Sequence, residues 1–139
     1  MAMRVHEIMH HAVRVPGNFT VTEAARLMEK EGLDSVLVDH QHSVGICTER
    51  DILRKIVARG MDPVVTTVVE IMSYPLHSIS WDDSVEEASD RMNELHVRRL
   101  VVMEKNAIIG VISASCIAKN VKYITARRLA SQSWVEEAL

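Results

Sequence analysis

The chain is written twice. Glu7-Ile8-Met9 recurs as Glu70-Ile71-Met72 at an offset of 63, Val21, Ala24 and Met28 recur as Val85, Ala88 and Met92 at 64, and Gly45-Ile46-Cys47-Thr48 recurs as Gly110-Val111-Ile112-Ser113 at 65. The drift adds one residue in each of two connecting loops. Duplication constrains the fold more than any single motif, because both halves must build the same structure. One unit of about 60 residues buries little surface alone, so the copies are expected to share a core. They are read as repeats at 1–62 and 63–122, with an extension at 123–139.

Each copy reads as short strand, helix, strand, strand, helix. Thr20 with Glu23, and Ser84 with Glu87, spell a capping box ahead of an apolar stripe at Val21, Ala24, Ala25 and Met28, and again at Val85, Ala88 and Met92. Gly32 is placed to end the first helix. Runs at Ser35–Asp39 and Val44–Thr48 flank a His40–Ser43 turn, and Leu100–Met103 and Ala107–Ser113 flank Glu104–Asn106. Second helices are predicted over Glu49–Arg59 and Ala114–Lys122, with Gly60, Asp62 and Pro63 at the crossover. The expected fold class is α/β (α+β): two βαββα halves packed sheet to sheet about a pseudo-twofold axis, plus a C-terminal helix. In that helix Ile124, Leu129, Trp134, Val135 and Leu139 form an apolar side, opposite Arg127 and Arg128. It reads either as packed on its own module or as a contact for another molecule.

Aromatic residues make up 4% of the chain, so its core must be aliphatic. A net charge of −3 gives no broad positive field, which argues against nucleic acid and anionic lipid as partners. No apolar run reaches the roughly 18 residues a membrane span needs, and the N-terminus shows no secretory h-region. Cys47 and Cys116 lack metal-ligand spacing and read as small buried hydrophobes in a reducing compartment. A cytoplasmic location is expected.

An Ile-Met loop, a capped helix with an Ala-Met stripe, then strand, turn and strand ending in Gly-φ-x-Ser/Thr-x-x-Asp, twice over residues 4–122, resembles the CBS (cystathionine-β-synthase) domain. The tandem pair resembles a Bateman module. That resemblance implies a regulatory module and not an enzyme, needing no cofactor and pairing into a homodimer through its helices. It implies AMP, ADP or ATP, or else S-adenosylmethionine or NAD, in clefts between the repeats. The first copy of the strand-end motif is complete, Gly45-Ile46-Cys47-Thr48-Glu49-Arg50-Asp51. By resemblance Ile46, Thr48 and Asp51 line the nucleotide, with Asp51 on the ribose and Arg50 near phosphate. The opposite repeat brings Ser73 and His77 to the base and Arg98 or Arg99 to the phosphates. Elementary chemistry agrees with such use: a capped helix start favours an anion, a carboxylate accepts from both ribose hydroxyls, and guanidinium matches phosphate. The second copy keeps Ser113 but has Cys116 where the Asp should stand, and its cleft would face Asp34 and Ser35. One competent site and one weak or empty site are expected.

Plainer readings stand beside these. Thr48-x-x-Asp51 is also an ordinary helix start, Arg98 and Arg99 are also surface charge or partners for Asp34, His77 is also a packing residue, and Ser73 is also a turn hydroxyl. His6-Glu7-Ile8-Met9-His10 fits the H-E-x-x-H string of zinc metallopeptidases, yet its copy Val69-Glu70-Ile71-Met72-Ser73 loses both His and no third ligand is evident. His11, His40, His42 and His96 are scattered, and no catalytic triad or carboxylate pair is recognisable. The rival function is a ligand-free dimerisation module acting on an unnamed partner.

Overall fold

Each half builds a three-stranded sheet whose central strand carries a continuous aliphatic run, Val36–Val38 or Leu100–Val102, buried residue after residue. The computed structural model describes residues 2–138 apart from Pro75 and the side chains of 131–138. The side chains of Trp134 and Val135, expected on the apolar side of the tail, and Leu139 altogether, lie outside what is described. Two compact units result: Ala12–Leu76, and Met1–His11 together with His77–Leu139.

In the first unit β1 (Arg14–Pro16) and α1 (Val21–Glu31) lead to β2 (Ser35–His40), β3 (Ser43–Thr48), α2 (Glu49–Ile52) and α3 (Val68–Ile71). The sheet runs β1-β2-β3, β1 parallel and β3 antiparallel to β2. Val15, Val36 and Val38 pack on Val21, Ala24 and Met28 of α1 and on Val68 and Ile71 of α3. Each such aliphatic burial is worth about 1.5–3 kcal/mol. The second unit repeats the plan with β4 (Ser78–Ser80), α4 (Val85–Leu95), β5 (Arg99–Glu104), β6 (Ala107–Ser113), α5 (Ala114–Lys119) and α6 (Val121–Ala138). Its core joins Ile79, Leu100, Val102 and Ile112 to Ala88, Met92 and Val5. Mixed α/β architecture and the strand-helix-strand-strand order are as expected.

Packing does not divide at 62/63, because the repeats exchange arms. The segment that opens each copy bonds to the helix start of the other: Val5 N donates to Asp83 O at 2.8 Å and Val85 N to Met3 O at 2.9 Å. In the other unit Val68 N donates to Phe19 O at 2.8 Å and Val21 N to Thr66 O at 2.9 Å. Residues 1–11 therefore belong with the second sheet, and the stretch through residue 76 belongs with the first.

These arms also alter the expected caps. Thr20 and Ser84 accept from Glu23 N and Glu87 N, each at 3.1 Å, so the hydroxyl half of the box forms. Arm backbone, not the glutamates, closes the rest of each helix start. Both hairpin turns are tighter than predicted, with Gln41 and Lys105 at φ 53° and 57°.

The second helices differ as well. After α2 the backbone widens to a π-helix over Leu53–Val57, with Ala58 N donating to Leu53 O at 2.9 Å. This keeps Ile56 in the core while Lys55 turns toward the end of β3. In the second copy the predicted helix stops at Lys119, and α6 starts afresh after Asn120. Ile124 of α6 is buried with Met3 and Val85, whereas Leu129, expected beside it, is 56% exposed. Arg127 and Arg128 pair with Glu7 and Glu86 at 2.7 and 2.8 Å. None of the described helices is long and apolar enough to cross a membrane.

Candidate functional site

Where β3 ends, the chain turns from extended into helix, and a Thr at that corner has free amides to cap. Thr48 Oγ1 accepts from Asp51 N at 3.1 Å, and Asp51 Oδ2 accepts from Thr48 N at 3.0 Å and from Thr48 Oγ1 at 3.1 Å. Asp51 is only 6% exposed. A buried carboxylate must be paired to persist, and its second oxygen is: Oδ1 accepts from Ser73 Oγ at 2.9 Å and lies 3.0 Å from Lys55 Nζ. Lys55 also donates to Ile71 O at 2.8 Å.

Ser73 arrives on the exchanged arm. Its backbone zips to β3 through Ser73 N to Ile46 O (2.7 Å) and Ile46 N to Ser73 O (3.1 Å). Gly45 makes this approach possible, since a Cβ there would sit 2.5 Å from Met72 Sδ. The repeated Gly and the repeated Met are thus two sides of one contact. Cys47, fully buried beside the cluster, has its thiol pushed up to about 12 by burial and, secondarily, by the Asp51 charge. It is inert, as its reading as a small hydrophobe requires.

Of the sequence-predicted site residues, Ile46, Thr48, Asp51 and Ser73 come together here, with exposed Arg50 one residue from Asp51. His77, Arg98 and Arg99 belong to the other unit. The carbonyl of half-buried His77 accepts from Val101 N, that of exposed Arg98 accepts from Ala114 N, and Arg99 opens β5 opposite Ser113. Lys55 was missed. Its signal was present as an Asp51–Lys55 pair at i,i+4, the spacing at which opposite charges meet on a helix.

The second copy keeps the scaffold and loses the charges. Ser113 Oγ accepts from Cys116 N at 3.1 Å, His10 and Val111 exchange backbone bonds, and Met9 Sδ lies 2.6 Å from where a Gly110 Cβ would be. By repeat position Asp51, Lys55 and Ser73 become Cys116, Asn120 and His10. Asn120 Nδ2 donates to Cys116 O at 2.8 Å, so no ion pair replaces the first. His6 Nδ1 meets Trp81 O and His10 Nδ1 meets His11 O, so the two His of the H-E-x-x-H string face separate carbonyls. Among the described residues no three His, Cys, Asp or Glu side chains converge as a metal site.

The CBS domain model matches residues 5–58 and again 68–123, the two copies read from the repeat. The chain belongs to the CBS domain family. Its relatives include the CBS domain-containing protein YhcV of Bacillus subtilis, 35% identical over 107 residues that span 76% of each chain. Hypoxic response protein 1 of Mycobacterium tuberculosis is 28% identical over 82% of each. The chain spans only 56% of the uncharacterized Methanopyrus kandleri protein MK0525, at 32% identity. Among solved structures, the hexameric CBS-CP12 protein from bloom-forming cyanobacteria matches with a TM-score of 0.77 and 32% identity, covering 84% of this chain and 69% of that one. Hypoxic Response Protein I with two coordinated zinc ions matches at 0.66 and 28%, covering 84% and 98%. Tandem CBS proteins are generally regulatory or sensor modules.

Proposed function

We propose that this CBS pair is a sensor that binds an adenosine-containing nucleotide, AMP, ADP or ATP before S-adenosylmethionine or NAD, at the Asp51 end of β3. The observation that carries the reading is the asymmetry between copies. A buried carboxylate with a hydroxyl and an ammonium beside it is built at the first strand end and dismantled at the second. Carboxylates bond vicinal hydroxyls strongly, with charge-assisted bonds worth about 1.5–3 kcal/mol each. His77, Arg98 and Arg99 are proposed as further ligand contacts on the family resemblance. A sensor also needs a ligand that favours one of two states. Catalysis forms no part of this reading.

Thermal-shift measurements with AMP, ADP, ATP, NAD and S-adenosylmethionine test it. At about a hundred times its Kd, a true ligand adds roughly 2.7 kcal/mol of stability. Asp51→Ala should abolish the shift, and a shift that survives unchanged removes Asp51 from the site.

A second reading, ligand-free self-association, is favoured by two observations. Both Asp51 oxygens are already satisfied within the chain, and Leu53, Val57, Val64 and Val65 are all at least 60% exposed. The hexameric CBS-CP12 protein shows that a relative assembles. Light scattering on the purified chain, with and without nucleotide, separates a homodimer from a monomer.

A further inference from the structure

We propose that Lys55 is the internal counter-ion of Asp51, and that it makes the site select ligands carrying both a vicinal diol and a phosphate over the uncharged nucleoside or a cationic analogue. The inference deepens the nucleotide reading and rests on it. Three observations lead to it.

Asp51 Oδ1 is shared by Ser73 Oγ and Lys55 Nζ at 2.9 and 3.0 Å, so a diol cannot take that oxygen without displacing one of them. Lys55 is held where it is by backbone form. The π-helix at Leu53–Val57 departs from the i→i−4 ladder at the turn that carries Lys55, and its Nζ reaches Ile71 O as well as Asp51. Such single-turn insertions cost regularity and often mark sites of function. Finally, the pair is unevenly buried: the Asp51 side chain is 9% exposed and that of Lys55 32%. The ammonium can swing outward on its stem while the carboxylate stays.

Occupied by its own lysine, the pair is close to neutral. A ligand bearing only hydroxyls must displace the ammonium and leave it without its carboxylate, which lowers affinity. A ligand bearing hydroxyls and phosphate splits the pair productively, giving the diol to Asp51 and an anion to Lys55. A sulfonium cation meets the displaced ammonium as a like charge, so S-adenosylmethionine is disfavoured. Displacement of the ammonium also frees Ile71 O, on the exchanged arm, so site occupancy is transmitted to the arm's hold on β3.

The test is calorimetric titration of the full chain with AMP, ATP, adenosine and S-adenosylmethionine. Wild type should bind AMP or ATP at least about tenfold more tightly than adenosine, the scale of one charge-assisted bond, and the preference should shrink in 0.5 M salt. Lys55→Met should erase most of that ratio by weakening the phosphates and strengthening adenosine. Lys55→Arg should restore the ratio, which a merely structural lysine would not require. Lys55→Gln, uncharged but still a hydrogen-bond donor and so a second choice if the Met variant does not fold, should behave as Met does. An unchanged ratio in the Met or Gln variant, or adenosine binding as well as AMP to wild type, overturns the proposal while leaving the nucleotide reading intact. If none of the four compounds binds any of these proteins, both fall.

Discussion

A glycine under a crossing chain is tested by what its missing Cβ would meet. At Gly45 the nearest atoms to such a Cβ are Met72 Sδ at 2.5 Å and Met72 Cγ at 3.0 Å, with Ser73 O at 3.1 Å. At Gly110 a backbone atom, His10 O, would be 2.8 Å away, besides Met9 Sδ at 2.6 Å. A flexible thioether can give way, whereas a carbonyl held in a two-bond bridge cannot. Both Gly→Ala variants should destabilise by the about 1–3 kcal/mol typical of overpacking, Gly110→Ala more than Gly45→Ala. Chemical denaturation should also show Met72→Ala rescuing Gly45→Ala, and Met9→Ala failing to rescue Gly110→Ala. Equal rescue at both sites would mean that the thioether alone sets the spacing. Sequence reading found these glycines and methionines as repeated letters but could not see that they touch, because each Met belongs to the other copy of the sequence and reaches its glycine only through the exchanged arm. Asp51 was legible as a special carboxylate and its lysine was not, for a local reason. Spacing proposes an i,i+4 pair, but only the widened helical turn decides where the ammonium goes.

Among the elements, those specified by local chemistry were the ones read correctly. Hydroxyl caps at Thr20 and Ser84, apolar stripes, and strand pairs bounded by polar turns all act within a few residues. Ends and irregularities were less legible, as α4 illustrates. Helix α1 closes on Gly32 at φ 66° and ψ 35°, and α4 closes at the equivalent position on His96 at φ 55° and ψ 41°. Both donate to the carbonyl three residues back, so the motif is the same while only one copy has the residue suited to it. Left-handed backbone costs a residue with a Cβ roughly 1–2 kcal/mol, a strain glycine avoids. His96→Gly should therefore stabilise the protein by about 1 kcal/mol, less the entropy glycine adds to the unfolded chain, raising the midpoint by roughly 2–5 °C. Gly32→Ala should lower it by a similar amount. A melting curve for His96→Gly that falls below wild type would mean that the imidazole makes a contact worth more than the backbone strain.

On the scale of the whole molecule, exchange of arms makes the N-terminal segment and α6 depend on each other. Helix α6, 18 residues long, should draw most of its stability from packing, as helices in proteins do. Among the described residues of α6 only Ile124 is buried, and the surface bonds are Arg127 to Glu7 of the arm and Arg128 to Glu86 of α4. The hydrogen bond from Arg127 holds the Glu7 carboxyl below its ordinary value near 4.5, helped by the Arg4 amide, and that from Arg128 does the same for Glu86. A carboxyl whose value is lower folded than unfolded binds more protons when unfolded. Its contribution is therefore present above the unfolded value and is lost as pH falls through the folded one. Both pairs are partly exposed, so each is worth at most about 1 kcal/mol. The expected result is local: between pH 5 and 3, amide protection factors should fall over residues 121–130 before they do in β5 and β6, where protection follows global stability. Glu7→Gln with Glu86→Gln should bring that loss of protection to neutral pH and flatten its pH dependence. If α6 in the double variant keeps wild-type protection at pH 7, the apolar contact at Ile124 holds the helix and the ion pairs only decorate it. Fraying of α6 would loosen Met3, which shares that contact, and with it the arm that carries Met9 to Gly110.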